Sequence, residues 1–294
     1  MCGTLRPCVV FVPAVHVVSY KKVTLMTHMR KVLIVGNWKM HLNTHEASLL
    51  LHRLNAHIPV HRDVEVVLAP SMLAIQPLSV EVDRRKFRLA AQNAYFKDEG
   101  AYTGEVSFTM LRELVHYALI GHSERRLYFH ETLEMVRDKV AAAIRNGITP
   151  ILFIGETHEE RRAGETNQVL HDQLTTALSN LTASDIEHMV IAYEPVWAVS
   201  TFDGIFAKPH EVEGAMRRIR HEITELYGER AAQTVRILYG GSVDEQIAPG
   251  YMELPDCDGV VPGAASLNYH KFSGIVNSAY RLVQERRKHN GADR

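Results

Sequence analysis

The chain has 294 residues, a formal charge of −1 and 46% hydrophobic residues. That length and apolar share suit one large α/β domain with an ample core, or two ordinary ones. Near-zero charge, with lysine and arginine spread along the sequence, gives no reason to expect a nucleic-acid or membrane partner.

Residues 1–29 differ from the rest. The apolar run at 9–18 is interrupted by Pro13 and His16, and a spanning helix needs ~20 apolar residues. With Arg6 alone ahead of the run, neither a signal peptide nor a mitochondrial presequence is indicated. A disordered N-terminal extension is expected over 1–29, a barrel domain over 30–287 and a polar tail over 288–294. The three cysteines, Cys2, Cys8 and Cys257, are odd in number and two are terminal. They form no disulfide framework and predict a reducing, cytoplasmic setting. His41 and His45 are four apart, but no further ligand completes a metal set, so no metal is expected. His57 and His61 bracket Pro59. All four histidines read as solvated.

From Lys31 onward, β-branched runs alternate with helical patterns. Strands are predicted at 32–37, 64–69, 88–92, 118–121, 150–155, 189–193, 235–239 and 259–261. Several are unbroken apolar runs, as in a parallel sheet buried on both faces. Between them, Leu133, Val136, Val140 and Ile144 step by three and four. So do Leu170, Leu174, Leu178 and Leu181, and Val212, Ala215, Ile219, Ile223 and Leu226. Each set makes one apolar helical stripe. Thr132 is placed to cap a helix over 133–146, which Asn146 and Gly147 close, and Pro209 suits a first helical turn. Eight such units fit a single-domain (β/α)8 barrel of the α/β class, whose functional groups lie on the loops after each strand.

Four segments sit on those loops. Gly-Asn-Trp-Lys-Met at 36–40 carries Asn37 and the cation Lys39, which either neutralises a phosphate and developing enolate charge or forms a surface ion pair. Gly-His-Ser-Glu-Arg-Arg at 121–126 ends a strand at His122. Amides of the next helical turn can donate to the His122 ring, leaving a neutral imidazole whose other N–H faces a carbonyl. Tyr-Glu-Pro-Val-Trp-Ala at 193–198 places Glu194 after an apolar approach that desolvates it and makes it a stronger base. A salt bridge to Arg125 or Lys139 is the structural alternative. Pro195, Val196, Trp197 and Ala198 read as the rigid start of a lid, with Glu156 placed to hold Trp197. Tyr-Gly-Gly-Ser at 239–242, with Gly263, Ala264, Ala265 and Ser266 after the eighth strand, offers backbone amides to an anion.

The order and wording of these segments resemble the triosephosphate isomerase family over residues 29–286. The resemblance implies the TIM-barrel fold and a cofactor-independent isomerase of glycolysis and gluconeogenesis, interconverting D-glyceraldehyde 3-phosphate and dihydroxyacetone phosphate. It implies Glu194 as the base, neutral His122 as the electrophile, Asn37 and Lys39 on substrate, and Glu124 behind Lys39 and His122. Ser200, Ser242, Gly263 and Ala264 fall on the phosphate. The segment at 91–105 resembles the family's interface loop and implies a homodimer through Thr103 and Glu105.

The chain departs from the family pattern near the substrate. Ser200 and Phe202 stand at lid glycines, two residues are added before Pro209, Pro262 and Ala264 alter the eighth loop, and Phe153 replaces a cysteine. Two other readings therefore compete: a paralogue acting on a larger ketose phosphate such as a tetrulose phosphate, and a non-catalytic sugar-phosphate-binding barrel.

Overall fold

The computed structural model describes residues 30–199 and 206–292. The expected N-terminal extension, Ser200 and Phe202 lie outside the described residues. Eight parallel strands close into a barrel in chain order: β1 (Val32–Asn37), β2 (Val64–Ala69), β3 (Phe87–Ala91), β4 (Tyr117–Ile120), β5 (Thr149–Ile154), β6 (Val190–Tyr193), β7 (Arg236–Tyr239) and β8 (Gly259–Val260). The barrel is the expected one, and every strand boundary lies within one residue of its predicted place. The last strand is short because Pro262 has no N–H to extend its ladder.

The strands read as unbroken apolar runs because alternate side chains enter two different cores. Leu33, Val35, Val67, Leu119, Ile151, Phe153, Val190, Ala192 and Leu238 fill the barrel interior. Val32, Ile34, Val66, Ile120, Leu152, Ile191 and Ile237 face the surrounding helices. Each fully buried aliphatic contributes about 1.5–3 kcal/mol through apolar burial.

The helical stripes pack as their spacing requires. Val136 and Val140, Leu170, Leu174 and Leu178, and Val212, Ile219 and Ile223 are all buried. Thr132 caps Leu133–Arg145 by accepting from the Met135 amide, and Gly147 follows with φ +70°. Pro209 opens Pro209–Tyr227. Four stripe members are not buried: Leu133 and Ile144, at the two ends of their helix, are partly exposed, and Leu226 and Leu181 depart as well. Leu226 is exposed in the last turn of its helix, which ends at Tyr227. Leu181 lies past the end of Thr166–Leu178 and only abuts the core. His61 is not a solvated helical residue; its ring stacks on Tyr280 at 4.0 Å.

The distribution of charge also differs from the linear reading. Arg84, Arg85, Lys86 and Arg88 follow one another closely in sequence, and the fold adds Arg112 beside Arg84 and Arg88 at the N-terminal end of the barrel. Among the described residues, no helix is long and apolar enough to cross a membrane.

Candidate active site

The inward register carries polar groups to the upper mouth. Asn37 continues the face of Leu33 and Val35. Glu194 continues that of Val190 and Ala192, and Gly240 that of Leu238. Gly121, at φ +73°, breaks the alternation after β4 and aims His122 at the same space. A Cβ there would meet Val136 and Arg126, so the turn requires glycine on both conformational and steric grounds.

Glu194 is 2% exposed and His122 7%. Oε2 of Glu194 accepts from the Ser123 amide at 2.9 Å, and Oε1 lies 3.0 Å from His122 Nε2. The Glu124 amide donates to His122 Nδ1 at 3.2 Å. A nitrogen that accepts an N–H carries no proton, so the neutral ring has its hydrogen on Nε2, within reach of Glu194 Oε1. The Phe153 ring packs against the imidazole at 4.9 Å between centroids. Gly155 lets the β5 loop run close beneath Glu194; a Cβ there would fall 2.0 Å from the Glu194 carbonyl.

The alternative partners for Glu194 are committed elsewhere. Arg125 and Lys139 both donate to buried Glu131, and Lys139 also donates to Asn93 at 2.8 Å. Arg126 instead donates to the carbonyls of Gly121 at 2.8 Å and Phe153 at 3.1 Å. Burial lowers its pKa, while the charges of Glu131 and Glu194 oppose that.

Lys39 Nζ pairs with Glu124 at 2.6 Å, so Glu124 backs both the cation, through its carboxylate, and the histidine, through its amide. The Lys39 backbone has φ +50°, a region that disfavours any residue with a Cβ. Two side chains fix it. Asn37 Oδ1 accepts from the Lys39 amide at 3.0 Å, and Gln92 donates to the carbonyls of Lys39 at 2.7 Å and Ala69 at 2.9 Å. Gln92 and Glu131 were missed from sequence. A polar residue just past an apolar strand is the signal that Gln92 shares with Glu194.

One cleft of about 330 Å³ is lined by Asn37, Lys39, His122, Glu194, Ser242, Gly263 and Ala264. The Gly263 and Ala264 amides donate to no carbonyl among the described residues, and Ala264 has no positive φ. The Ser242 amide is engaged, donating to the Ala198 carbonyl at 3.0 Å, while its Oγ is buried without a partner. Burying an unbonded hydroxyl is costly, which favours an incoming acceptor.

Trp197 Nε1 donates to buried Glu156 at 2.8 Å, as the sequence predicted. Tyr193 OH donates to the same carboxylate, and Arg161 lies 4.1 Å from the Trp197 ring. Beyond the undescribed 200–205, the Tyr251 hydroxyl donates to the Ala207 carbonyl while its ring stacks on Tyr239 at 3.9 Å. Thr103 and Glu105 lie exposed on the loop after β3.

A family model described as triosephosphate isomerase matches residues 32–279. The chain belongs to the triosephosphate isomerase family. It is 43% identical over 252 residues to a triosephosphate isomerase of Caldanaerobacter subterraneus, covering 85% of this chain and all of that protein. It is 40% identical to one from Dehalococcoides mccartyi, covering 85% of this chain and 97% of that protein. Against one from Streptococcus suis it is 39% identical, with 84% and 99% covered. The match runs through all eight strands and all four site segments, so membership rests on the barrel and its mouth together.

Proposed function

We propose that the chain is a cofactor-independent isomerase interconverting D-glyceraldehyde 3-phosphate and dihydroxyacetone phosphate. The observation that carries the reading is the placement of Glu194, the Nε2 face of His122 and Lys39 around one cleft whose far side presents the Gly263 and Ala264 amides. Glu194 removes a proton from the carbon beside the substrate carbonyl. The electron pair moves onto the carbonyl oxygen, where the His122 N–H and the Lys39 ammonium stabilise the enediolate. Glu194 then returns the proton to the neighbouring carbon, and a hydroxyl proton passes between the two oxygens.

Asn37 and Glu124 position Lys39. Ser242, Gly263 and Ala264, with Ser200 of the lid, hold the phosphate. Pro195, Val196, Trp197 and Ala198 form the first hinge of the lid, with Trp197 held by Glu156. The enzyme works as a homodimer through Thr103 and Glu105, in a cytoplasmic setting that suits its buried, unpaired Cys257.

The test is steady-state kcat/KM on triose and tetrulose phosphates. A triose preference of ~10-fold or more is expected for a cleft sized to the shorter chain. A tetrulose preference overturns the substrate assignment. Turnover that survives Glu194→Gln undiminished overturns the catalytic one, and sedimentation of the full chain as a monomer overturns the dimer.

A further inference from the structure

A second cleft lies at the opposite, N-terminal end of the barrel. It measures about 610 Å³, within the range of small-molecule sites. Four consecutive strands build its wall. Arg84 comes from the turn before β3, Arg88 from within β3, Arg112 from the segment leading to β4, and His116 from the residue before it.

The charges in this cleft do not cancel. Glu65 lies in it but is spent: Arg236 binds it at 2.8 Å and the Tyr117 hydroxyl at 2.9 Å. Arg84, Arg88 and Arg112 each lack an ion-pair partner among the described residues, and so does Glu113. Three uncommitted guanidiniums therefore face one uncommitted carboxylate, in a protein whose formal charge is −1. The His116 ring lines the same wall with Nδ1 buried and unbonded. Burial, reinforced by Arg88 and Arg84 and opposed by Glu65, holds its pKa below the ordinary value.

We propose that this cleft is a second binding site, specific for a small polyanion bearing two or more phosphoryl groups. Guanidinium forks bind phosphoryl oxygens in bidentate fashion and stay charged at every physiological pH. Three of them spread around a cavity of this size fit a bis- or polyphosphorylated molecule better than a single phosphate. The site takes nothing from the catalytic groups, which sit at the other end of the same strands.

The experiment is isothermal titration of the full chain with sodium tripolyphosphate at low ionic strength. Binding is expected to weaken ~10-fold or more in the Arg84→Ala/Arg88→Ala/Arg112→Ala variant, with kcat/KM unchanged. Lys39→Met, which disables the catalytic mouth, leaves the affinity as in wild type. The ring-proton resonance of His116, assigned by its loss in His116→Gln, shifts on addition of tripolyphosphate. Absence of binding at ~1 mM, equal affinity in the triple variant, loss of affinity in Lys39→Met, or binding of an oligonucleotide but not tripolyphosphate each overturns the proposal. Loss of kcat/KM in the triple variant would do so as well, by placing the cleft within the catalytic machinery.

Discussion

The two ends of the barrel hold polar groups on the same inward-facing register and use them differently. At the lower end, Glu65, Tyr117 and Arg236 satisfy one another: Arg236 binds both partners, and Tyr117 binds Glu65. At the upper end, Glu194 and His122 touch through Oε1 and Nε2 and Lys39 pairs with Glu124, but the Ser242 hydroxyl and the Gly263 and Ala264 amides lack partners among the described residues, beside a cleft that all of these residues except Glu124 line. A closed network adds stability, whereas hydrogen-bonding capacity left open favours a ligand that completes it. β6 and β7 make the contrast within single strands. Val190 and Ala192 lead up to Glu194, and Arg236 leads up through Leu238 to Gly240.

If that division is right, substitutions at the two ends separate activity from stability. The largest expected effect is at Glu194, the proposed base. Glu194→Gln lowers kcat ~10²–10⁴-fold with little change in the urea midpoint, read by steady-state kinetics beside equilibrium unfolding. Lys39→Met comes next, lowering kcat/KM ~10²–10³-fold as a charge-stabilising donor is lost.

Arg236→Met at the lower end reverses the pattern. It costs about 1.5–3 kcal/mol of stability, since two bonds involving a charged group are lost, while kcat holds. A fall in kcat as large as that from Lys39→Met would show that the two ends are not separable.

Acid sharpens the same point. Burial raises the Glu65 pKa, but the Arg236 charge and the bonds from Arg236 and Tyr117 more than reverse this, leaving it below its ordinary 4.5. A depressed carboxylate contributes stability that is fully present above the unfolded value and is lost as pH falls through the folded one. The wild type should therefore lose stability below about pH 4.5 more steeply than Arg236→Met, measured by urea unfolding across pH 3–6. The smallest effect is expected at Phe153→Leu, about 1 kcal/mol. It should lower kcat by releasing the His122 ring, whereas Leu119→Val, in the same interior core, should leave kcat unchanged.

Most of the barrel was legible because strand and helix periods are written in short, separate stretches, and capping at Thr132 and Pro209 marks helix starts directly. Lys39, His122 and Glu194 were legible because each stands beside its strand end in a distinctive local phrase. What escaped depends on long-range geometry. Glu131 collects Arg125 and Lys139 only after the chain has folded. The Ser242 amide is taken by Ala198, more than forty residues earlier. The basic run from Arg84 to Arg88 stood in the sequence and was passed over, whereas Arg112 joins it only through the order of strands. Leu226 and Leu181 escaped for a simpler reason, since a stripe does not state where its helix stops.

The left-handed backbone of Lys39 has a consequence for how this sequence can drift. Holding a side chain there costs about 1–2 kcal/mol, and its ion pair with Glu124, 22% exposed on each side, returns about 0–1 kcal/mol. Lys39→Gly should therefore make the fold more stable while removing the charge that the proposed chemistry uses, so selection for stability and for that chemistry would pull this position in opposite directions.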